Sequence, residues 1–362
     1  MRIALAFVCL VGVGFVGAML LHLGDDSPTV SGRGSAVASE LENERSAAAL
    51  TPLERRLRQD LERGVEEAAA LGGDVEAAVM LDGSPSPLVA TSEAGGAERQ
   101  MRMWSISKVA TMITFLRLLG WGDRPGEIPS PEALEGLVGA LTRSENCRQR
   151  RVVLELQRAA GGIPQTRQAL SETFALADSK ATPGTQVEAP ESLCVPYLSQ
   201  QLEIPQPLAP TLLLGTSQWR VSDAVRLAHA LADGTYGKAL SEMVLELMEA
   251  PKRPSRESEP GELTAPIDWG AGTVFKGFAP AYKAGWGGTL NGNFLAGQIA
   301  IVHLQNGDDL ALAVMFHPDT QPERDDPGIT SAPAAIETVM EAVSAGVSPS
   351  PEGSGGPSVE GS

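Results

Sequence analysis

The stretch Trp104-Ser105-Ile106-Ser107-Lys108-Val109-Ala110-Thr111-Met112-Ile113-Thr114-Phe115-Leu116 decides how the chain is read. Its residues suit a helix, and Val109, Met112, Ile113, Phe115, Leu116, Leu118 and Leu119 make it apolar nearly all round. A helix of that kind is buried. Ser105 stands at its start and Lys108 three residues later, so the two side chains lie on one face, about one turn apart. A lysine at such a place is partly desolvated, which favours its neutral form and suits it to act as a base toward the neighbouring hydroxyl. A plainer reading stays open for the serine, which is a favoured helix N-cap.

Working outward, the hydrophobic pattern supplies the elements around this helix. Leu53, Leu57, Leu61, Val65 and Ala69 form one stripe, predicting a helix over 53–71 that starts at Thr51 or Pro52 and ends at Gly72-Gly73. Strands are predicted over 75–81 and 88–92, joined through Asp82-Gly83-Ser84-Pro85. After the Ser105 helix come helical segments around Leu134–Leu141, over 150–160 ending at Gly161-Gly162, and over 165–175. The stretch 176–210 is mostly irregular and proline-rich, a length that marks a functional or mobile loop. Helices are predicted over 221–233, capped by Ser222 or Asp223, and over 236–249. A strand ends at or near Ala281–Gly288, and a hairpin over 294–304 and 309–316 turns through Asn306-Gly307. A last helix spans 332–345. The natural packing is an α+β fold: a largely antiparallel sheet flanked by N- and C-terminal helices, with an all-helical lobe inserted in the middle.

Both ends read differently. Residues 1–23 carry Arg2 and an apolar run from Ile3 to Leu21, a signal peptide or an N-terminal membrane anchor, with the acidic flank Asp25-Asp26 placed outside. Residues 24–50 read as a flexible linker, 51–347 as the folded domain, and 348–362 as a disordered tail. The expected location is extracytoplasmic, either secreted or held at the membrane by a single N-terminal helix.

Of 362 residues, 43% are hydrophobic but only 4% aromatic, so the core must be built from Ala, Leu and Val. A net charge of −17 argues against nucleic-acid partners and against docking on anionic lipid. Lysine is scarce beside arginine (Lys108, Lys180, Lys238, Lys252, Lys276 and Lys283), which adds weight to any lysine in a motif. The four histidines show no metal-ligand spacing, and neither a metal nor another cofactor is expected. A monomer is expected. Cys147 and Cys194 are the only cysteines in the body of the chain; in an exported protein they can pair as a disulfide or remain free.

Three short motifs stand in order: Ser105-x-x-Lys108 at a helix start, Ser144-x-Asn146 on a loop of the helical middle, and Lys283-Ala284-Gly285 on a strand. In that order and placement the chain resembles the penicilloyl-serine superfamily, which comprises class A β-lactamases, D-Ala-D-Ala peptidases and other penicillin-binding proteins. The resemblance runs from about Leu53 to Val343. It implies an acyl-serine enzyme acting on β-lactams or peptidoglycan stem peptides. Ser105 would be the nucleophile and Lys108 its proton acceptor. Ser144 would relay a proton to the leaving nitrogen, Asn146 would bind the substrate amide, and Lys283 would hold the substrate carboxylate. The backbone N–H groups of Ser105 and Trp286 would form the oxyanion hole, with Ala284 and Gly285 lining the substrate strand.

The departures matter. Ala284 stands where the family has Thr or Ser, whose hydroxyl meets the substrate carboxylate. The step from Ser105 to Ser144 is shorter than in class A enzymes, implying a trimmed lobe. The Glu-x-x-Leu-Asn motif that activates the deacylating water is missing from 181–201, where Glu188 and Glu191 are the only carboxylates and so the candidate deacylation bases. Slow turnover follows. A weak or inactive relative that binds cell-wall fragments or β-lactams, and an esterase on the same scaffold, are the alternatives.

Overall fold

The computed structural model describes residues 50–93, 98–188, 210–249, 269–288, 294–319 and 331–347. The expected export segment, the C-terminal tail, Cys194 and Glu191 lie outside the described residues. Among the described residues no helix is long and apolar enough to cross a membrane.

Helix α1 (Pro52–Ala69) opens with a capping box. The Thr51 hydroxyl accepts from the Glu54 N–H (3.2 Å), the Glu54 carboxylate accepts from the Thr51 N–H (2.8 Å), and Pro52 needs no amide partner at N1. Strands β1 (Gly73–Leu81) and β2 (Leu88–Thr91) follow as an antiparallel pair. A two-residue strand, β3 (Met101–Arg102), leads into a tight 3₁₀ turn, Trp104–Ile106, and then into α2 (Ser107–Leu118). The helix proper therefore begins after Ser105, which caps nothing. Every residue from Ser107 to Leu116 is buried, as an all-round apolar helix requires.

The helical lobe comprises α3 (Pro131–Thr142), α4 (Asn146–Ala160) and α5 (Ile163–Leu176). Helix α4 starts at Asn146, four residues before the expected Arg150. Its first turn, Asn-Cys-Arg-Gln, carries no apolar stripe to announce it. Short strands β4 (Val187–Glu188) and β5 (Thr211–Leu212) pair with each other, and β6 (Gln218–Trp219) pairs with β3. Helices α6 (Val221–Ala232) and α7 (Lys238–Glu249) complete this layer. The cap of α6 differs from expectation: Asp223 acts from inside the first turn, accepting the Arg220 N–H at 3.0 Å, while Ser222 instead donates to Glu98.

The short helix α8 (Ala271–Val274) precedes β7 (Ala281–Gly288), β8 (Phe294–His303), β9 (Asp309–Pro318) and the final helix α9 (Ser331–Val347). The five-stranded antiparallel sheet has the order β2-β1-β9-β8-β7. Alternation along β9 divides the core. Leu310, Leu312, Val314 and Phe316 pack with α1 and α9, whereas Ala311, Ala313 and Met315 face the side of α2 and α6. The α+β architecture expected from the pattern is the one observed. Strand β7 lies at the sheet edge, beside the 3₁₀ turn that carries Ser105.

Candidate active site

Small residues let β7 and the Ser105 turn approach closely. A Cβ on Gly285 would lie 3.0 Å from the Ser105 amide nitrogen and 2.9 Å from that of Ile106. A Cβ on Gly287 would lie 2.5 Å from the Trp104 ring. Trp104 itself adopts φ 44°, a left-handed conformation rare for a bulky residue, immediately before Ser105. Ser105 is half-buried, and no described residue hydrogen-bonds its hydroxyl.

Lys108 is fully buried. Its amino group donates to the Ser144 carbonyl oxygen, to Asn146 Oδ1 at 2.8 Å and to Ser144 Oγ at 3.2 Å. The expected partner, the Ser105 hydroxyl, is not among these acceptors. The 3₁₀ turn sets Ser105 off the regular helix spacing, and the lysine reaches across to the second motif instead. Lys283, also buried, comes from the opposite side of the site and donates to Ser144 Oγ at 2.9 Å and to the Ala284 carbonyl oxygen at 2.7 Å. One serine hydroxyl thus lies between two lysine amino groups from different elements. Lone pairs receive both donors, leaving the Ser144 proton directed elsewhere.

Motif residues on β7 divide by strand alternation. Lys283 and Gly285 face the Ser105 turn. The Ala284 methyl packs with the layer formed by α1 and α9, and the Trp286 side chain leans on the same layer. What Ala284 and Trp286 bring to the Ser105 side is backbone alone. Opposite Ala284 in the sheet stands Gln298, fully buried. Its Oε1 accepts the Ala271 N–H at 2.7 Å and its Nε2 donates to the Trp269 carbonyl at 3.1 Å.

Of the residues expected to take part in deacylation, Glu188 lies on β4, and Glu191 lies outside the described residues. Cys147, in the first turn of α4 beside Asn146, is disulfide-bonded. Among the described residues no group of three His, Cys, Asp or Glu side chains is placed to hold a metal ion.

Sequence reasoning missed Glu145, the middle residue of Ser144-Glu145-Asn146. It is completely buried and takes the Arg143 guanidinium at 2.7 and 3.3 Å. A charged residue flanked by Arg143 and Arg148 was the available signal.

No family model matches the chain, and no curated protein does. Solved structures do. A class A β-lactamase from Bacteroides cellulosilyticus DSM 14838 is similar at 14% identity over 80% of this chain and 99% of that one, with a TM-score of 0.50. The transpeptidase domain of the FtsI4 D,D-transpeptidase from Legionella pneumophila is 14% identical over 81% and 97%, with a TM-score of 0.49. The chain has the β-lactamase-like fold.

Proposed function

We propose that this protein is an exported acyl-serine hydrolase or transferase that takes β-lactams or peptide amides of the cell-wall type. The observation that carries this reading is the Ser144 hydroxyl held by both Lys108 and Lys283. Such an arrangement is of little use to packing, since it buries two lysine amino groups. It suits a proton relay. Ser105 Oγ attacks the acyl carbon, and its proton passes to Lys108, which accepts it as the neutral amine and hands it on to Ser144. Ser144 then delivers a proton to the leaving nitrogen as the C–N bond breaks, leaving an ester on Ser105. The close approach of Gly285 to the Ser105 amide supports an oxyanion site built from the backbone N–H groups of Ser105 and Trp286. Lys283 adds positive charge at the same end. Water or an amine resolves the ester.

A slow-turnover variant of this reading, a protein that acylates and holds its ligand, is favoured by one observation: the stretch 181–201 lacks the Glu-x-x-Leu-Asn motif that would activate the deacylating water.

The test is incubation of the protein with a fluorescent penicillin beside Ser105→Ala, following intact mass over time. A covalent adduct absent from the variant is expected. Its persistence or decay separates holding from turnover. An adduct that survives in Ser105→Ala, or none in either protein, would overturn the assignment.

A further inference from the structure

Ser144 is one of four described non-glycine residues with positive φ, at 60°. That conformation crowds a Cβ against the backbone and does not persist unless its surroundings impose it. It is also the conformation that turns both the carbonyl oxygen and Oγ of Ser144 toward Lys108. The residues on either side supply the constraint. Arg143 Nε donates to Glu145 Oε1 at 2.7 Å and its Nη2 to Oε2 at 3.3 Å, a two-pronged fork that spans Ser144. Arg148, within the first turn of α4, adds its Nε to Glu145 Oε2 at 3.3 Å and anchors on Glu135 at 2.6 Å.

The end of α3 is shaped to receive this group. A Cβ on Gly139 would meet Glu145 Oε2 at 2.6 Å and Arg148 Cγ at 2.7 Å, so a larger residue would push both side chains out of place. The Gly139 carbonyl accepts the N–H groups of both Arg143 and Glu145 at 3.2 Å, drawing the residues around Ser144 into one tight turn. Glu145 occupies the N-cap position of α4, yet its side chain makes no cap; it is spent on the arginines.

We propose that the Arg143–Glu145 fork, backed by Arg148 and seated on Gly139, fixes the left-handed conformation of Ser144, so that Glu145 is a positioning residue for the Ser144 hydroxyl. Its consequence for catalysis rests on the acyl-serine reading above; its consequence for Lys108 does not.

Glu145→Gln keeps the shape and removes the charge. Arg143→Lys breaks the fork from the other end while leaving Glu145 paired with Arg148, and serves if the first variant does not fold. Leu57→Ala, in the core layer of α1, is the control for general loss of stability. Two readouts are needed. Reductive methylation of the native protein, read peptide by peptide, reports whether Lys108 stays covered. The rate of Ser105 acylation by a fluorescent penicillin reports the relay. The fork variants should label Lys108 and acylate with changes of tenfold or more, faster and slower respectively, while Leu57→Ala moves neither. Unchanged Lys108 labelling in the fork variants, or an equal change in Leu57→Ala, would overturn the proposal. Should the parent protein fail to acylate, the functional reading falls, and the Lys108 labelling still decides the role of the fork.

Discussion

Replacing Glu76 with Gln should make the protein lose stability in acid over a range where the parent is nearly indifferent to pH. Glu76 is on β1 and almost wholly buried, on the sheet face turned toward β3. Burial pushes its carboxyl up to about 7, although the Arg99 N–H, at 3.1 and 3.3 Å, and the Arg99 guanidinium pull the other way; Glu98 and Glu93 add to the rise. His317, paired with Asp74 two residues along the same strands, is pushed down to about 4, by burial first and by Arg99 second, against Asp74 and Glu93. Its Nε2 lies 2.8 Å from Met101 Sδ.

The signs are opposite. Folded Glu76 keeps its proton until about pH 7, whereas the unfolded chain releases it near 4.5, so its contribution is complete below 4.5 and is lost as pH rises to 7. Folded His317 refuses a proton until about pH 4, whereas the unfolded chain takes one near 6.5. Its contribution is complete above 6.5 and is lost as pH falls to 4. Each displacement is worth about 3 kcal/mol at full extent, or about 1.4 kcal/mol per pH unit. Between about pH 4.5 and 6.5 the two slopes cancel. Urea unfolding at half-unit steps from pH 4 to 8 gives the curves, and subtracting the parent removes other titrations. Glu76→Gln should lose about 3 kcal/mol relative to its own value at pH 7 on going to pH 4. His317→Gln should gain about as much between pH 7 and 4.5. Parallel curves for the parent and both variants would refute the reasoning.

Two further outcomes follow from local geometry. Gly285→Ala forces β7 and the Ser105 turn apart by about half an ångström, because two of the atoms it meets, the Ser105 and Ile106 amide nitrogens, are backbone and cannot swing away. It should cost about 1–3 kcal/mol and slow Ser105 acylation by roughly tenfold or more; parent-like acylation would show that the contact does not set the site. Thr51→Ala removes the capping box of α1 and should cost about 1 kcal/mol in thermal unfolding. Hydrogen bonds from the Ser84 hydroxyl and the Thr51 N–H hold Glu54 below its ordinary value, so its contribution is present above pH 4.5 and fades below it. Because the alanine variant keeps that N–H, this acid dependence should persist in Thr51→Ala and shrink in Ser84→Ala.

The elements legible in the sequence are those whose signal is local. The four-residue stripe of α1, the all-apolar α2 and the Asn306-Gly307 turn each specify themselves, and so the layer order follows. What escaped is non-local. Strand β3 is two residues long and exists only because Met101 and Arg102 meet Trp219 and Gln218, more than a hundred positions away; two residues have no period to read. The same holds at the site. The motifs name Ser105, Lys108, Ser144 and Lys283, but not that Lys108 bonds the second motif rather than its own helix neighbour. That depends on the 3₁₀ turn at Trp104–Ile106, and no propensity announces a left-handed tryptophan.

Ala284 shows how far a motif departure can be carried. In the sheet it lies directly across from Gln298, and neither side chain offers a donor to a ligand: one is a methyl, and the other has its amide committed to Trp269 and Ala271. Among the motif residues, recognition of an anionic group next to the scissile bond is then left to Lys283, whose ammonium already serves Ser144 Oγ and the Ala284 carbonyl. A hydrogen bond to a charged group is worth about 1.5–3 kcal/mol, which corresponds to roughly tenfold to a hundredfold in rate constant. The protein should therefore discriminate weakly between a penicillin and its methyl ester, with acylation rates within about tenfold of each other. Ala284→Thr directs its new hydroxyl into the layer of α1 and α9 rather than toward Ser105, so it should leave that ratio unchanged. Competition of the two compounds for a fluorescent penicillin measures it directly. If the parent reacts with the acid and ignores the ester, the carboxylate is already well held, and the loss of the third-motif hydroxyl has been made good by residues beyond Lys283.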